Sequence, residues 1–506
     1  MPKESWLRLI GTRRAGRKTG KWLAPLNSSD YANSSNRETL VTEVSSAQFR
    51  CAGRNLELQV LPNIVTDMLK SISLKNFKSY IEATLPLAAM TFLIGPNASG
   101  KSNALEAIRL LNWLAKGSRV DDIERSIQGG DTMVRGLAKD LFRQPEEAFE
   151  LGVHVDGVDD GWSDFAIGLR YLNDQLVIAT ESITKPGERV ALYQVDSAPN
   201  PHTDEISVAY NNFSKGRNKP HIPCSNRLAV FYQLETPGRF EKNHAKSQVV
   251  IPAVVKSFRQ ALRSIVFLDP RPSQMREYVY AGDASMKEDG SNLSAVLYSI
   301  CRSEEPSKDK LLAFIRSLPE QDITDIDFIE TERRDVMVRL EESFGNQTRV
   351  VDAPLLSDGT LRVLAIAGTL LTAAEGSLVV IEEIDNGVHP SRADTLVKQI
   401  QQIASERKLR VLLTSHNPAL LDALPDRSLP DVLCCYRDPA NGSSQLIRLG
   451  DLDRYPELVA QGPLGQLMTR RVLERFLKDA STPDGRKKAA MDWLTSLKAR
   501  TGEGEK

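Results

Sequence analysis

The sequence predicts an α/β fold built on a parallel or mixed sheet with helices on its faces, and three observations carry that expectation. The first is an apolar run, Thr91-Phe92-Leu93-Ile94, that feeds Gly95-Pro96-Asn97-Ala98-Ser99-Gly100-Lys101-Ser102; past it, Leu105, Ile108, Leu111 and Leu114 recur at helical spacing from Asn103 onward. The second is a regular alternation after Pro354: a helix over 361–373, a buried strand over 377–381, a helix over 392–405 and a buried strand over 410–414. The third is the pair Glu382-Glu383, which follows the apolar run Leu378-Val379-Val380-Ile381 directly. In open α/β sheets the carboxyl ends of the strands are where ligands collect.

Each element has a chemical reason. Gly95 and Gly100 let the backbone turn its N–H groups around an anion, Lys101 neutralises outer phosphates, and the Ser102 hydroxyl is placed to ligate Mg²⁺. The helix that follows aims the positive end of its dipole at the same anion. Of the paired acids, one can organise Mg²⁺ through its waters and the other can polarise an attacking water. Leu356-Ser357-Asp358-Gly359-Thr360-Leu361-Arg362 places a hydroxyl, an acid and a glycine at a second helix mouth, a second candidate anion site. The strand Val411-Leu412-Leu413 runs into Thr414-Ser415-His416-Asn417-Pro418, where the His416 imidazole can reach a terminal phosphate.

Composition sets the frame. With 506 residues, 41% apolar and 26% charged, the chain reads as a globular protein of two or three domains. A net charge of −1 offers no global attraction to nucleic acid or anionic lipid. The five cysteines, Cys51, Cys224, Cys301, Cys434 and Cys435, show no C-x-x-C spacing, so a reducing cytoplasm is the expected location. No apolar run reaches membrane-spanning length; 363–374 reads as a buried helix, and no membrane association is expected.

Residues 1–67 read as a poorly ordered basic and polar extension (Arg13, Arg14, Arg17, Lys18, Lys21, then Ser/Asn-rich sequence), ahead of Met68 and a well-patterned segment. No sustained apolar stretch follows Arg13-Arg14, so a twin-arginine signal is not expected. Residues 68–118 hold an antiparallel hairpin and the glycine loop: Ile72 and Leu74 alternate with polar neighbours, and beyond Asn76-Phe77-Lys78-Ser79 so do Ile81, Ala83, Leu85 and Leu87. Residues 119–330 read as an inserted mixed α+β lobe with strands near 149–155, 165–171 and 175–181 and a helix over 293–301. Residues 331–450 carry the remaining motifs, and 451–506 a helical tail.

Taken in order, the motifs resemble the nucleotide-binding heads of the ABC, SMC and RecF-like ATPases, and more closely the stand-alone bacterial AAA-type ATPases related to the overcoming-lysogenisation-defect (OLD) group. The residues that carry the likeness are Leu74 to Ser79, the glycine loop with Asn103, Leu356 to Arg362, Glu382-Glu383 with Asn386-Gly387-Val388-His389-Pro390, and Thr414 to Pro418. The resemblance implies a P-loop NTPase of ABC-head type with ATP and Mg²⁺ as its ligands. It places Gly95, Pro96, Asn97, Ala98, Ser99, Gly100, Lys101, Ser102 and Asn103 on the nucleotide. Ser357, Asp358 and Gly359 become the signature loop that meets the γ-phosphate held by an opposite protomer. Glu383 takes the general-base position, Glu382 the Mg²⁺ position beside Ser102, and His416 the γ-phosphate sensor. Glu382 stands where aspartate is commoner, and Gln128 is the candidate for the Q-loop glutamine.

The function expected from this likeness is an ATP-gated homodimer acting in anti-phage defence or DNA repair, with a separate effector protein, a nuclease being the class implied, and DNA as a candidate ligand. The competing expectation is the nucleotide-binding subunit of a membrane transporter. A nuclease within the chain, prompted by Asp451-Leu452-Asp453, lacks an upstream glutamate at a strand end.

Overall fold

The computed structural model describes residues 48–51, 54–57, 68–478 and 491, apart from 129–132, 201, 217, 304–306, 317–321, 346 and 387–392. The first unit, 1–64, shows one antiparallel hairpin, Gln48–Cys51 with Arg54–Glu57. The expectations for 1–47, and for Gly387 to Pro390, lie outside the described residues.

The second unit, 65–506, is organised by a six-stranded sheet in the order Val266–Leu268, Leu378–Ile381, Arg410–Thr414, Met90–Ile94, Leu433–Arg437, Ser444–Arg448. The first five strands are parallel and the last is antiparallel. This sheet separates two hydrophobic cores. Leu93, Leu378, Val380 and Leu412 point into one, while Phe92, Ile94, Val379, Ile381, Val411 and Leu413 point into the other. A strand covered on both faces must be apolar at every position, which is why these segments read as unbroken hydrophobic runs.

On one side lies an eight-stranded antiparallel sheet in the order His221–Ser225, Glu205–Tyr210, Tyr193–Val195, Gln175–Thr184, Asp164–Leu172, Ala148–Asp156, Met68–Lys75, Glu82–Pro86. The hairpin expected before the glycine loop is therefore the end of a larger sheet, most of which comes from the segment read as an insertion. That same segment supplies Val266–Leu268, the edge strand of the central sheet, after the 19-residue helix Ala245–Arg263. A small third sheet, Val279–Tyr280, Asp335–Phe344 and Asp322–Glu330, with Gln347–Asp352 also on Asp335–Phe344, leads into the helix Asp358–Thr372.

That helix starts three residues before the predicted 361. Ser357 is its N-cap, its Oγ accepting the Thr360 N–H at 3.1 Å, so the helix begins where the cap dictates rather than at the first apolar residue. The tail folds into the short helices Tyr455–Val459, Leu464–Thr469 and Val472–Lys478. Register decides the location of the site: Leu268 is level with Ile381, Ile381 with Leu413, Thr414 with Leu93, and Ile94 with Cys434. The residues that follow these strands, Asp269, Glu382, Ser415 and Gly95, emerge at one edge, level with Cys435 inside the neighbouring strand.

Candidate functional site

The loop Gly95–Ser102 leaves the centre of that edge and enters the helix Lys101–Ala115. Its shape is fixed from behind. A Cβ on Gly95, at φ 150°, would lie 2.1 Å from the Cys435 carbonyl oxygen, and one on Gly100, at φ 122°, would lie 2.2 Å from Ser444 Oγ. Only glycine fits either position. Ser444 Oγ donates to the Ser99 carbonyl at 2.5 Å, and Tyr80 Oη donates to the Gly100 carbonyl at 3.0 Å. Ser79 gathers the rest: its Oγ accepts from Asn103 Nδ2 and shares a hydroxyl–hydroxyl hydrogen bond with Ser444 Oγ, both at 2.7 Å. This explains the Asn76-Phe77-Lys78-Ser79 motif, which braces the loop rather than lining it.

Lys101, 8% exposed, folds back so that Nζ donates to the Gly95 and Pro96 carbonyls at 2.6 and 3.0 Å. Burial pushes its ammonium below the ordinary lysine value, against the upward pull of Cys435 and Glu383. A buried cation with nearby acids is matched to an anionic ligand. The cavity above it measures ≈ 330 Å³ and is lined by Asn97 to Asn103, Glu383 and His416, joined by Arg135 and Arg437.

The two adjacent acids have different surroundings. Glu383 sits at φ 47°, a strained value for a non-glycine residue, held by its N–H to Thr414 Oγ1 at 2.9 Å and by Asn386 Nδ2 on its carboxylate. This turn directs Glu383 into the nucleotide-loop cavity. Glu382 lines a neighbouring cavity of ≈ 300 Å³ with Ser102, Arg109, Asp269 and Glu288, and its carboxylate is paired with Arg109. Desolvation raises the Glu382 pKa; Arg109 opposes that, while Asp269 and Glu288 add to it. Ser102 borders both cavities, beside Glu383 in one and Glu382 in the other; a hydroxyl and a carboxylate are the hard-oxygen donors that would suit Mg²⁺. His416 is held below its ordinary value by desolvation and by Lys101, with Asp385 and Glu383 pulling the other way.

Residues 90–422 match the family described as "AAA domain, putative AbiEii toxin, Type IV TA system". The chain belongs to that family. It carries an ATPase head of the ABC, SMC and RecF-like superfamily. Short stretches resemble the DNA replication and repair protein RecF: 33% identity over 86 residues with that of Leptospira interrogans (17% of this chain, 23% of the relative) and 44% over 62 residues with that of Cyanothece (12% and 16%). The chain thus matches less than a quarter of the length of either relative. Among solved structures, an SMC head bound to the C-winged helix domain of ScpA aligns over 75% of this chain and 97% of that one at 13% identity and TM-score 0.43. The SMC head domain of Thermotoga maritima aligns over 75% and 98% at 14% identity and TM-score 0.33.

In this AAA protein the signature residues stand apart from the P-loop. None of Ser357, Asp358 and Gly359 lines the nucleotide-loop cavity. Ser357 and Asp358 are exposed, and Asp358 Oδ1 accepts from Arg276, which also bonds the Leu356 carbonyl, at 2.6 and 3.0 Å. Gln128 ends the short helix Ile123–Gln128, exposed, and does not line the cavity either.

Several residues at the site escaped the sequence reading. Arg437 closes the strand beside the P-loop and donates to the Ala98 carbonyl at 2.9 Å; the apolar run Val432 to Cys435 was the available signal. Arg135 reaches the cavity because its Nε binds Glu106 at 2.5 Å, and Glu106 is in turn paired with Lys78. No sequence pattern announces that chain of contacts. Asp385 presents a buried Oδ1 with no hydrogen-bond partner among the described residues. At Asp451 the neighbour is Arg448, and among the described residues no group of three or more His, Cys, Asp or Glu could hold a metal. No described helix is long and apolar enough to cross a membrane.

Proposed function

We propose that this AAA protein is an Mg²⁺-dependent ATPase that works as a nucleotide-gated homodimer, its signature loop completing the ATP site of a second copy. The observation that carries the reading is the convergence of Lys101, Glu383 and His416 on the P-loop cavity while Ser357, Asp358 and Gly359 stay outside it.

In this reading the Gly95 to Asn103 segment cradles the phosphates and Lys101 neutralises them. Ser102, with Glu382 acting through water, would hold Mg²⁺, which would supply charge neutralisation for the phosphates. Glu383 accepts a proton from the attacking water as its oxygen bonds the γ-phosphorus and the bond to the β-phosphate oxygen breaks, leaving ADP and phosphate. In the same reading neutral His416, which lines this cavity, donates a hydrogen bond to the γ-phosphate. Arg135 and Arg437 add positive charge on the same wall.

The setting, DNA-related anti-phage defence or repair in the cytoplasm with a separate effector and DNA as a candidate ligand, is part of the proposal, as is the finer kinship with OLD-related ATPases. The RecF relatives' names support the DNA side, and the family's description, with its toxin–antitoxin system, supports defence. The deciding experiment is Glu383→Gln: it should abolish turnover and trap an ATP-bound dimer by light scattering. A wild type that hydrolyses ATP as a monomer, with no dimer trapped by the variant, would overturn the gating. Turnover with and without duplex DNA at fixed salt, with Lys101→Ala as blank, tests the DNA arm.

A further inference from the structure

Arg109 lies on the P-loop helix and is 9% exposed. Its guanidinium donates from one nitrogen to Glu382 Oε1 and from the other to Glu288 Oε1, and its face lies 4.6 Å from the centroid of the Phe267 ring. The cavity beside it contains four acids, Glu106, Asp269, Glu288 and Glu382. Their partners are unequal. Glu106 has two cations, Lys78 and Arg135, and Asp269 has Arg271 at 3.7 Å, while Glu288 and Glu382 share Arg109. That pair is one positive charge short, in a cavity that Ser102 also lines. The segment carrying Glu288 is anchored to the central sheet, the Asp269 N–H bonding the Glu288 carbonyl at 2.8 Å and the Arg271 N–H the Asp289 carbonyl at 2.9 Å.

We propose that Arg109 is a cationic latch that occupies Glu382 until a divalent cation enters with the nucleotide, and that Glu288 is the seat to which Arg109 then withdraws. A guanidinium and a divalent cation compete for the charge of one carboxylate, even when the cation is reached through water, so loading weakens the hold of Arg109 on Glu382. The geometry suits an exchange. Phe267 keeps the guanidinium plane in place when one of its two hydrogen-bonded arms is given up, and Glu288 already holds the other. Arg109 is a positioning residue, acting through Glu382. The latch rests on the reading of Glu382 as the metal-side acid.

The test follows binding of a fluorescent ATP analogue, mant-ATP, as Mg²⁺ is titrated, in a full-length Glu383→Gln background. Arg109→Met removes the competing cation and should move the Mg²⁺ midpoint about tenfold lower; Glu288→Gln removes the seat and one negative charge and should move it about tenfold higher. Opposite signs are the signature, since a merely structural role would lower thermal stability without separating the two midpoints. An Arg109→Met midpoint that stays put or rises overturns the latch. Should that variant fail to fold, Glu288→Gln decides alone, with no shift or a downward one overturning the proposal. A parent that binds no mant-ATP at any Mg²⁺ concentration removes the nucleotide reading itself, an outcome distinct from a midpoint of the wrong sign.

Discussion

The two helix mouths of the head share small residues and hydroxyls, yet they are built to opposite ends. The P-loop helix Lys101–Ala115 begins after Gly100 with no side-chain cap and no acid in its first turn. Its N-terminal N–H groups are left for a ligand, and Lys101 is buried beside them. The signature helix Asp358–Thr372 satisfies itself: Ser357 caps Thr360, and Asp358 opposes the dipole and pairs with Arg276. A helix mouth is an anion site only where its own side chains decline to fill it. On the proposed dimer, Ser357 would keep the Thr360 N–H and offer its own O–H to the γ-phosphate held by an opposite protomer.

Lys101→Ala should lower ATP affinity by about 100-fold with little change in melting temperature, measured by calorimetry; unchanged affinity would mean that the first mouth is not the anion site. Gly100→Ala should cost about 2–3 kcal/mol of unfolding free energy in urea, because the new Cβ meets Ser444 in a left-handed backbone. Ser357→Ala should cost about 1 kcal/mol for the lost cap, and should also cut turnover if the hydroxyl serves a second copy. A stability loss with turnover intact would leave the signature mouth as an ordinary capped helix. Gly359→Ala should gain up to about 1 kcal/mol, since this glycine sits in the first turn of a helix; a loss of turnover despite that gain would point to close approach by a partner.

The smallest effect concerns pH. His416 is held below its ordinary value, so the folded head favours neutral imidazole. Its contribution to stability is present above the unfolded value near 6.5 and fades as pH falls through the lower folded value. Turnover should be level from pH 7 to 8 and decline on acidification, and His416→Gln should remove the part of that decline owed to this ring. An unchanged profile would take His416 out of the site.

What could be read in advance was local. The P-loop, the acids at Glu382 and Glu383 and the strand over 410–414 are contiguous motifs whose backbone requirements select glycine, apolar and acidic residues in a row. The structure placed them as expected, level at one sheet edge. The signature helix began early because a cap outranks the first apolar residue. The Gln128 assignment failed to reach the cavity because a glutamine carries no spacing signal. Residue chemistry alone left open which of Glu382 and Glu383 does which, and the resemblance assigned their roles; the structure gives them different surroundings through the left-handed turn at Glu383 and the distant Arg109.

The sequence by itself determined that this protein has a phosphate loop, two strand-end acids and an α/β core, because each is encoded within a dozen residues by sterics and hydrophobic period. The tertiary structure decided who stands beside whom. Arg109 meets Glu382 across 273 positions and Arg437 meets Ala98 across 339, and pairs so distant are set by strand order and register. The physical reason is that a backbone conformation is a property of neighbouring residues, whereas an ion pair depends on where the packed sheet delivers its ends.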